Sequence, residues 1–184
     1  MRKTFNAFVF LAGYAFVSAG QAMNLSGTVF EEVGLEKGLD PLILYSVALA
    51  ESAYRAQTDG LVSPSLYTLR TADQPYYFNN KADALSKLQE ILKRTQSVDV
   101  GPMQINVKWH AHRVNRVEDL LDPATNIRIA ADILNERLDA NDGDWLGALG
   151  QYHSFEKNRS KWYGSLVLNI YKNLHNNSSD LLVW

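Results

Sequence analysis

One carboxylate, Glu51, stands at the end of an almost wholly apolar run, Pro41 to Ala50. Glutamate is almost never fully buried unless it is paired or put to use. A helix started at Asp40-Pro41, an N-cap ahead of a proline at the first helical position, brings Glu51 into its last turn. There the negative end of the helix dipole and the apolar neighbours both disfavour a charged carboxylate. A carboxyl group in that setting holds its proton towards neutral pH and suits general acid chemistry. The plainer alternative is a partly exposed Glu51 paired with Arg55, one helical turn on.

A second stretch, Ser97-Val-Asp99-Val-Gly101-Pro-Met103-Gln104-Ile-Asn106, gathers further groups of this kind. Asp99 offers a second carboxylate; the alternative is a turn residue capping its own backbone. Gly101 permits a tight backbone approach to a ligand, or is an ordinary turn glycine. Gln104 can hydrogen-bond a ligand amide or satisfy the loop backbone, and Met103 can contact a ligand or pack in the core. A third stretch holds Tyr152, whose phenol can bond while its ring packs, and His153, which can change charge near neutral pH. His110 and His112 are two imidazoles on one segment, too few for a metal site, and none is expected. Trp109, Trp145 and Trp162 can stack on flat ligands, although packing is the default for each.

The elements that must carry these groups are mostly helices. Asp122-Pro123 starts a helix to about Leu138, with Ile127, Ile129, Ala130, Ile133 and Leu134 at helical spacing. Asn80 caps a helix to about Lys93, Asp144 caps one through Tyr152, and a last helix spans Ser160 to Leu174. One region departs from this plan. Leu66 to Arg70 and Pro75 to Phe78 flank the turn-prone Thr71-Ala72-Asp73-Gln74 and predict a small hairpin. The tail at Asn176 to Ser179 reads as a frayed end. The expected fold class is mainly α (α+β), with a small β-hairpin insertion at about residues 61–95.

The 184 residues, 46% hydrophobic and 21% charged, suffice for one globular domain. A net charge of −2 gives no basic excess that would point to nucleic acid, and the absence of cysteine excludes disulfides and thiolate zinc sites. The N-terminus predicts compartment. Arg2 and Lys3 precede an apolar stretch from Phe5 to Val17 and then small residues up to Ala22. This is the layout of a secretory signal peptide over residues 1–22, cleaved after Gly20 or Ala22, and it predicts a periplasmic mature protein of residues 23–184. The apolar stretch falls short of the roughly 20 residues of a spanning helix.

Glu51-Ser52, the Ser97 to Asn106 segment, Asp122-Pro123-Ala-Thr-Asn126-Ile127 and Gln151-Tyr152-His153 stand in the order of four motifs. Together they resemble lytic transglycosylases of the soluble type, in the lysozyme-like superfamily of peptidoglycan-cleaving enzymes. The resemblance runs from about Leu35 to Tyr171. It implies a lysozyme-like helical fold, peptidoglycan glycan strands as substrate and no cofactor. It makes Glu51 the general acid, then the base that takes a proton from the muramyl C6 hydroxyl, leaving a 1,6-anhydromuramyl end. It also implies that Ser97 helps hold the muramyl group, and that Gly101, Met103, Gln104, Tyr152 and His153 line the substrate. Tyr152 matches the family tyrosine expected to bond Glu51 or substrate. Pro102 stands where leucine is usual and His153 where asparagine is usual. The insertion and the Gln151-Tyr-His-Ser154 stretch resemble members from conjugative elements, pilus clusters and secretion-system clusters, which open the wall for an envelope-spanning machine. Asp99 matches the second catalytic carboxylate of animal lysozymes of the chicken type, which leaves a hydrolytic muramidase as the alternative. A wall-binding assembly factor without turnover is a further one. No G-x-S-x-G elbow supports a serine hydrolase.

Overall fold

A computed structural model describes residues 23–55 and 62–176; the proposed leader (1–22) and the tail beyond Asn176 lie outside the described residues. Their architecture is seven α-helices and six short strands. Helix α1 (Val29–Lys37) is followed by α2 (Pro41–Ser52), whose N-cap Asp40 accepts from Leu42 N–H. Residues Leu42 to Ala48 are all buried, so α2 is enclosed on every side rather than amphipathic. Strands β1 (Ala53–Arg55) and β2 (Val62–Pro64) form an antiparallel pair at its end. Strands β3 (Thr68–Arg70) and β4 (Pro75–Tyr77) follow, then α3 (Lys81–Leu92), β5 (Asp99–Val100), β6 (Ile105–Asn106) and the one-turn α4 (Val107–His110). Two 3₁₀ turns lead into α5 (Pro123–Ala140), α6 (Trp145–His153) and α7 (Lys157–Asn176).

The expected hairpin forms, with Thr68 opposite Tyr77 and Arg70 opposite Pro75. It is not a separate appendage: β3 also pairs with β5, giving a four-stranded antiparallel sheet in the order β4-β3-β5-β6. Asp99 therefore lies in a strand, opposite Arg70 on one side and Asn106 on the other, and not in the turn considered for it. A two-residue strand is too short for its period to show in sequence. The last helix starts three residues before the expected Ser160 and runs on to Asn176. Helix α1, capped by Thr28, adds an element that the motif-bearing segments did not call for.

Helix α2 packs on α1 and α7, while α6 packs on α5 and α7. The α6–α7 contact is close because it lacks side chains. A Cβ on Gly164 would run into the carbonyl oxygen of Leu146, and one on Gly150 into that of Ser160. The two helices consequently bring His153, at the end of α6, and Tyr163, on α7, to the end of α2 where Glu51 sits.

Candidate functional site

Glu51 occupies the last turn of α2, with its side chain 14% exposed. Its Oε1 accepts a 2.6 Å hydrogen bond from the Tyr163 hydroxyl. Burial, then the charge of Glu51 and this bond, hold the Tyr163 phenol well above its ordinary pKa, so it remains a donor. The imidazole of His153 lies parallel to the Tyr163 ring, 2° between planes and 4.5 Å between centroids. Its Nδ1 is 3.7 Å from Glu51 Oε1, an electrostatic neighbour beyond hydrogen-bond length. Arg55, the alternative partner for Glu51, belongs to β1 beyond the helix end, and its side chain lies outside the described residues.

Beside Glu51 runs the loop 101–104, whose backbone is held almost group by group. Ser52 Oγ, on the residue after Glu51, is 2.9 Å from the carbonyl of Pro102. Asn126, fully buried on α5, accepts from Met103 N–H at 2.9 Å and donates to the carbonyls of Val100 and Leu120 at 2.8 and 3.0 Å. The Tyr152 hydroxyl donates to the Met103 carbonyl at 2.8 Å. Gly101 N–H donates to Thr68 O at 2.8 Å, and the Gln104 side-chain amide donates to Gly101 O at 2.8 Å. Three helices and the sheet thus fix one four-residue segment against the end of α2. The segment bends through two left-handed residues, Gly101 (φ 78°) and Gln104 (φ 48°). The second is uncommon for a side-chain-bearing residue and marks a backbone fixed by its surroundings.

Several expectations for this segment change. Gly101 is buried, and a Cβ there would lie 2.5 Å from Asn126 Nδ2, so the glycine makes room for a protein side chain rather than for a ligand. The Met103 side chain is 1% exposed and packs in the core; only its backbone serves the site. Tyr152 does not bond Glu51, because its hydroxyl is used on Met103 O. Ser97 is exposed between α3 and β5, where its N–H bonds Thr95 Oγ1. Gln104 Oε1 and Asn106 Oδ1 are buried and accept no hydrogen bond among the described residues.

Asp99 is half-buried and accepts from Asn106 Nδ2 at 2.7 Å. Burial pushes its carboxyl above the ordinary value; the Asn106 bond opposes this and the charge of Glu51 adds to it. The two carboxylates therefore sense each other, without sharing a hydrogen bond among the described residues. The imidazoles at 110 and 112 are 6.4 Å apart between ring centroids, and Nδ1 of His110 accepts from Arg113 Nε at 3.3 Å. Among the described residues no three metal-ligating side chains converge. Trp145 packs against the core, whereas Trp109 and Trp162 are 65% and 61% exposed, against the packing default.

Tyr163 was not among the residues expected here. Its only sequence signal is a tyrosine on the inner face of an amphipathic helix, which ordinary core tyrosines share. Ser52 and Asn126 stood inside recognised motifs without a role, because their partners are backbone groups 50 and 23 residues away.

A family model described as the transglycosylase SLT domain matches residues 28–166, a span that includes every residue of this site. No curated protein and no solved structure matches the chain.

Proposed function

The chain belongs to the transglycosylase SLT domain family, a family of peptidoglycan lytic transglycosylases with a mainly α, lysozyme-like fold, and from that membership we propose that Glu51 cleaves the MurNAc-β-1,4-GlcNAc bond with formation of 1,6-anhydroMurNAc ends. The observation that carries this reading is the Glu51–Tyr163 pair: one largely buried carboxyl, held through Oε1 by a permanent phenol donor, beside a rigid loop. With Oε1 accepting from Tyr163, Oε2 is the oxygen that carries the transferable proton. Glu51 protonates the leaving glycosidic oxygen as the C1–O bond breaks and positive charge develops on the sugar. The carboxylate so formed takes the proton of the muramyl C6 hydroxyl as that oxygen bonds to C1. No water is consumed and Glu51 regains its proton.

The loop 101–104 positions substrate in this reading, its backbone held by Asn126, Tyr152 and the Gln104 side-chain amide. Asp99, tied to Asn106, has a structural place in the sheet in this reading and forms no covalent bond to sugar. The mature protein acts in the periplasm after loss of residues 1–22. There it opens peptidoglycan locally for a conjugation, pilus or secretion apparatus, a role supported by the motif resemblance and the inserted hairpin. The test is mass spectrometry of peptidoglycan fragments released by the mature protein, with Glu51→Gln alongside. Anhydromuramyl ends that vanish in the variant are expected. Reducing ends carrying an added water would overturn the reading in favour of a hydrolytic muramidase.

The electrostatic coupling of Asp99 to Glu51 favours that second reading enough to name it. Retaining hydrolysis needs both carboxylates, so Asp99→Asn separates the two: transglycosylation survives it and hydrolysis does not.

A further inference from the structure

Five large apolar side chains are well exposed among the described residues: Leu35, Tyr77, Trp109, Phe155 and Trp162. Single exposed apolar residues are common and need no explanation. Trp162 differs in where it stands. It immediately precedes Tyr163 on α7, the residue that holds Glu51. Its ring lies 6.4 Å from that of Tyr163 and 6.4 Å from that of His153, which in turn stands 3.7 Å from Glu51 Oε1. Trp109 and Phe155 lie under cations, Lys108 and Arg137. Trp162 instead meets its two neighbours at 63° and 61°, so neither ring is stacked flat upon it. A residue with 61% of its surface in water, continuous with the rings that frame the carboxylate, is an apolar shelf at the rim of the site.

We propose that Trp162 is a substrate-positioning residue whose indole receives the C–H face of a sugar ring next to the one held at Glu51. This inference rests on the function proposed above. The chemistry is complementary. A pyranose presents axial C–H groups on one face and its hydroxyls around the edge, so it can cover an aromatic face without stranding a polar group. The indole is rigid, with two side-chain torsions, and loses little freedom on contact. Because it is Tyr163 and His153 that neighbour Glu51 while Trp162 neighbours their rings, Trp162 serves binding and register and not the bond-breaking step.

The test measures binding and turnover separately. Binding of a soluble GlcNAc-MurNAc tetrasaccharide is followed by calorimetry in Glu51→Gln protein, with and without Trp162→Ala or Trp162→Phe. Trp162→Ala should weaken binding about tenfold, or about 1.4 kcal/mol, and Trp162→Phe should recover most of the loss. With Glu51 intact, Trp162→Ala should raise KM by a similar factor and leave kcat within about twofold, the mark of lost uniform binding. Unchanged tetrasaccharide affinity in Trp162→Ala overturns the inference, and so does a Trp162→Phe protein as weak as Trp162→Ala. Cleavage by the otherwise unaltered protein is scored alongside. Absence of cleavage with Trp162-dependent binding would sink the chemistry assigned to Glu51 and leave this shelf standing.

Discussion

Tyr163 and Glu51, 112 residues apart in the chain, meet in a 2.6 Å hydrogen bond at Glu51 Oε1. Replacing Tyr163 by phenylalanine keeps the buried ring and its stack on His153 but removes the donor. Hydrogen bonds to charged groups contribute about 1.5–3 kcal/mol. Lytic activity should therefore fall about ten- to a hundredfold in kcat, with KM little changed and the helical circular dichroism signal intact. The check is release of soluble fragments from purified peptidoglycan against substrate concentration.

Tyr152→Phe probes the other phenol. Its hydroxyl serves the Met103 carbonyl and not Glu51, so its loss should be felt first in stability. A loss of about 1 kcal/mol is expected for one such bond, seen as a lower urea midpoint, with kcat reduced less than in Tyr163→Phe. A larger kcat loss in Tyr152→Phe than in Tyr163→Phe would reverse the assignment of the two tyrosines.

Asn126 holds three backbone groups with one side chain. Asn126→Ala strands the N–H of Met103 and the carbonyls of Val100 and Leu120 in a buried setting. At about 1–3 kcal/mol for each unsatisfied group, partly relieved by relaxation, a loss of about 3 kcal/mol or more is expected in denaturant unfolding. Gly101→Ala attacks the same joint from the opposite side. It combines a left-handed backbone, φ 78°, with a Cβ 2.5 Å from Asn126 Nδ2, and should cost about 2 kcal/mol or more.

Asp99 gives a pH prediction. Burial raises its folded pKa above the reference value of 3.8. The folded protein therefore binds this proton more tightly than the unfolded chain does. That contribution is fully present below the unfolded value and is lost as pH rises through the higher folded value. Asp99→Asn keeps an acceptor for Asn106 and removes the titration. The melting temperature of the variant relative to the parent should rise as pH increases from the reference value of 3.8 through the higher folded value, and stay level above it. A variant whose melting temperature falls relative to the parent over the same range would contradict the sign.

The helices were legible where the chain writes both their start and their face. Asp40-Pro41 and Asp122-Pro123 cap and open α2 and α5 as expected, and Asn80 and Asp144 cap α3 and α6. The hairpin could be read from its aromatic and β-branched strands, but its pairing with Asp99-Val100 could not, because strands of two residues carry no period. At the site, Glu51 could be singled out because a carboxylate is out of place at an apolar helix end. Tyr163 could not, because a tyrosine is at home on the inner face of a helix, and only the folded arrangement shows its hydroxyl aimed at an oxygen from α2. The clamp on loop 101–104 was hidden for a similar reason: its acceptors are main-chain carbonyls, which every residue owns.

The tight glycine seam between α6 and α7 bears on when the protein becomes competent. Glu51 is made early, but the phenol that fixes it and the imidazole stacked on that phenol arrive with the last two helices. Those helices deliver them only after Gly150 and Gly164 have let the two backbones close together. A chain interrupted before α7, or one whose α7 is kept off by a side chain at either glycine, holds the acid without its setting. The acid is therefore complete only where both helices are in place.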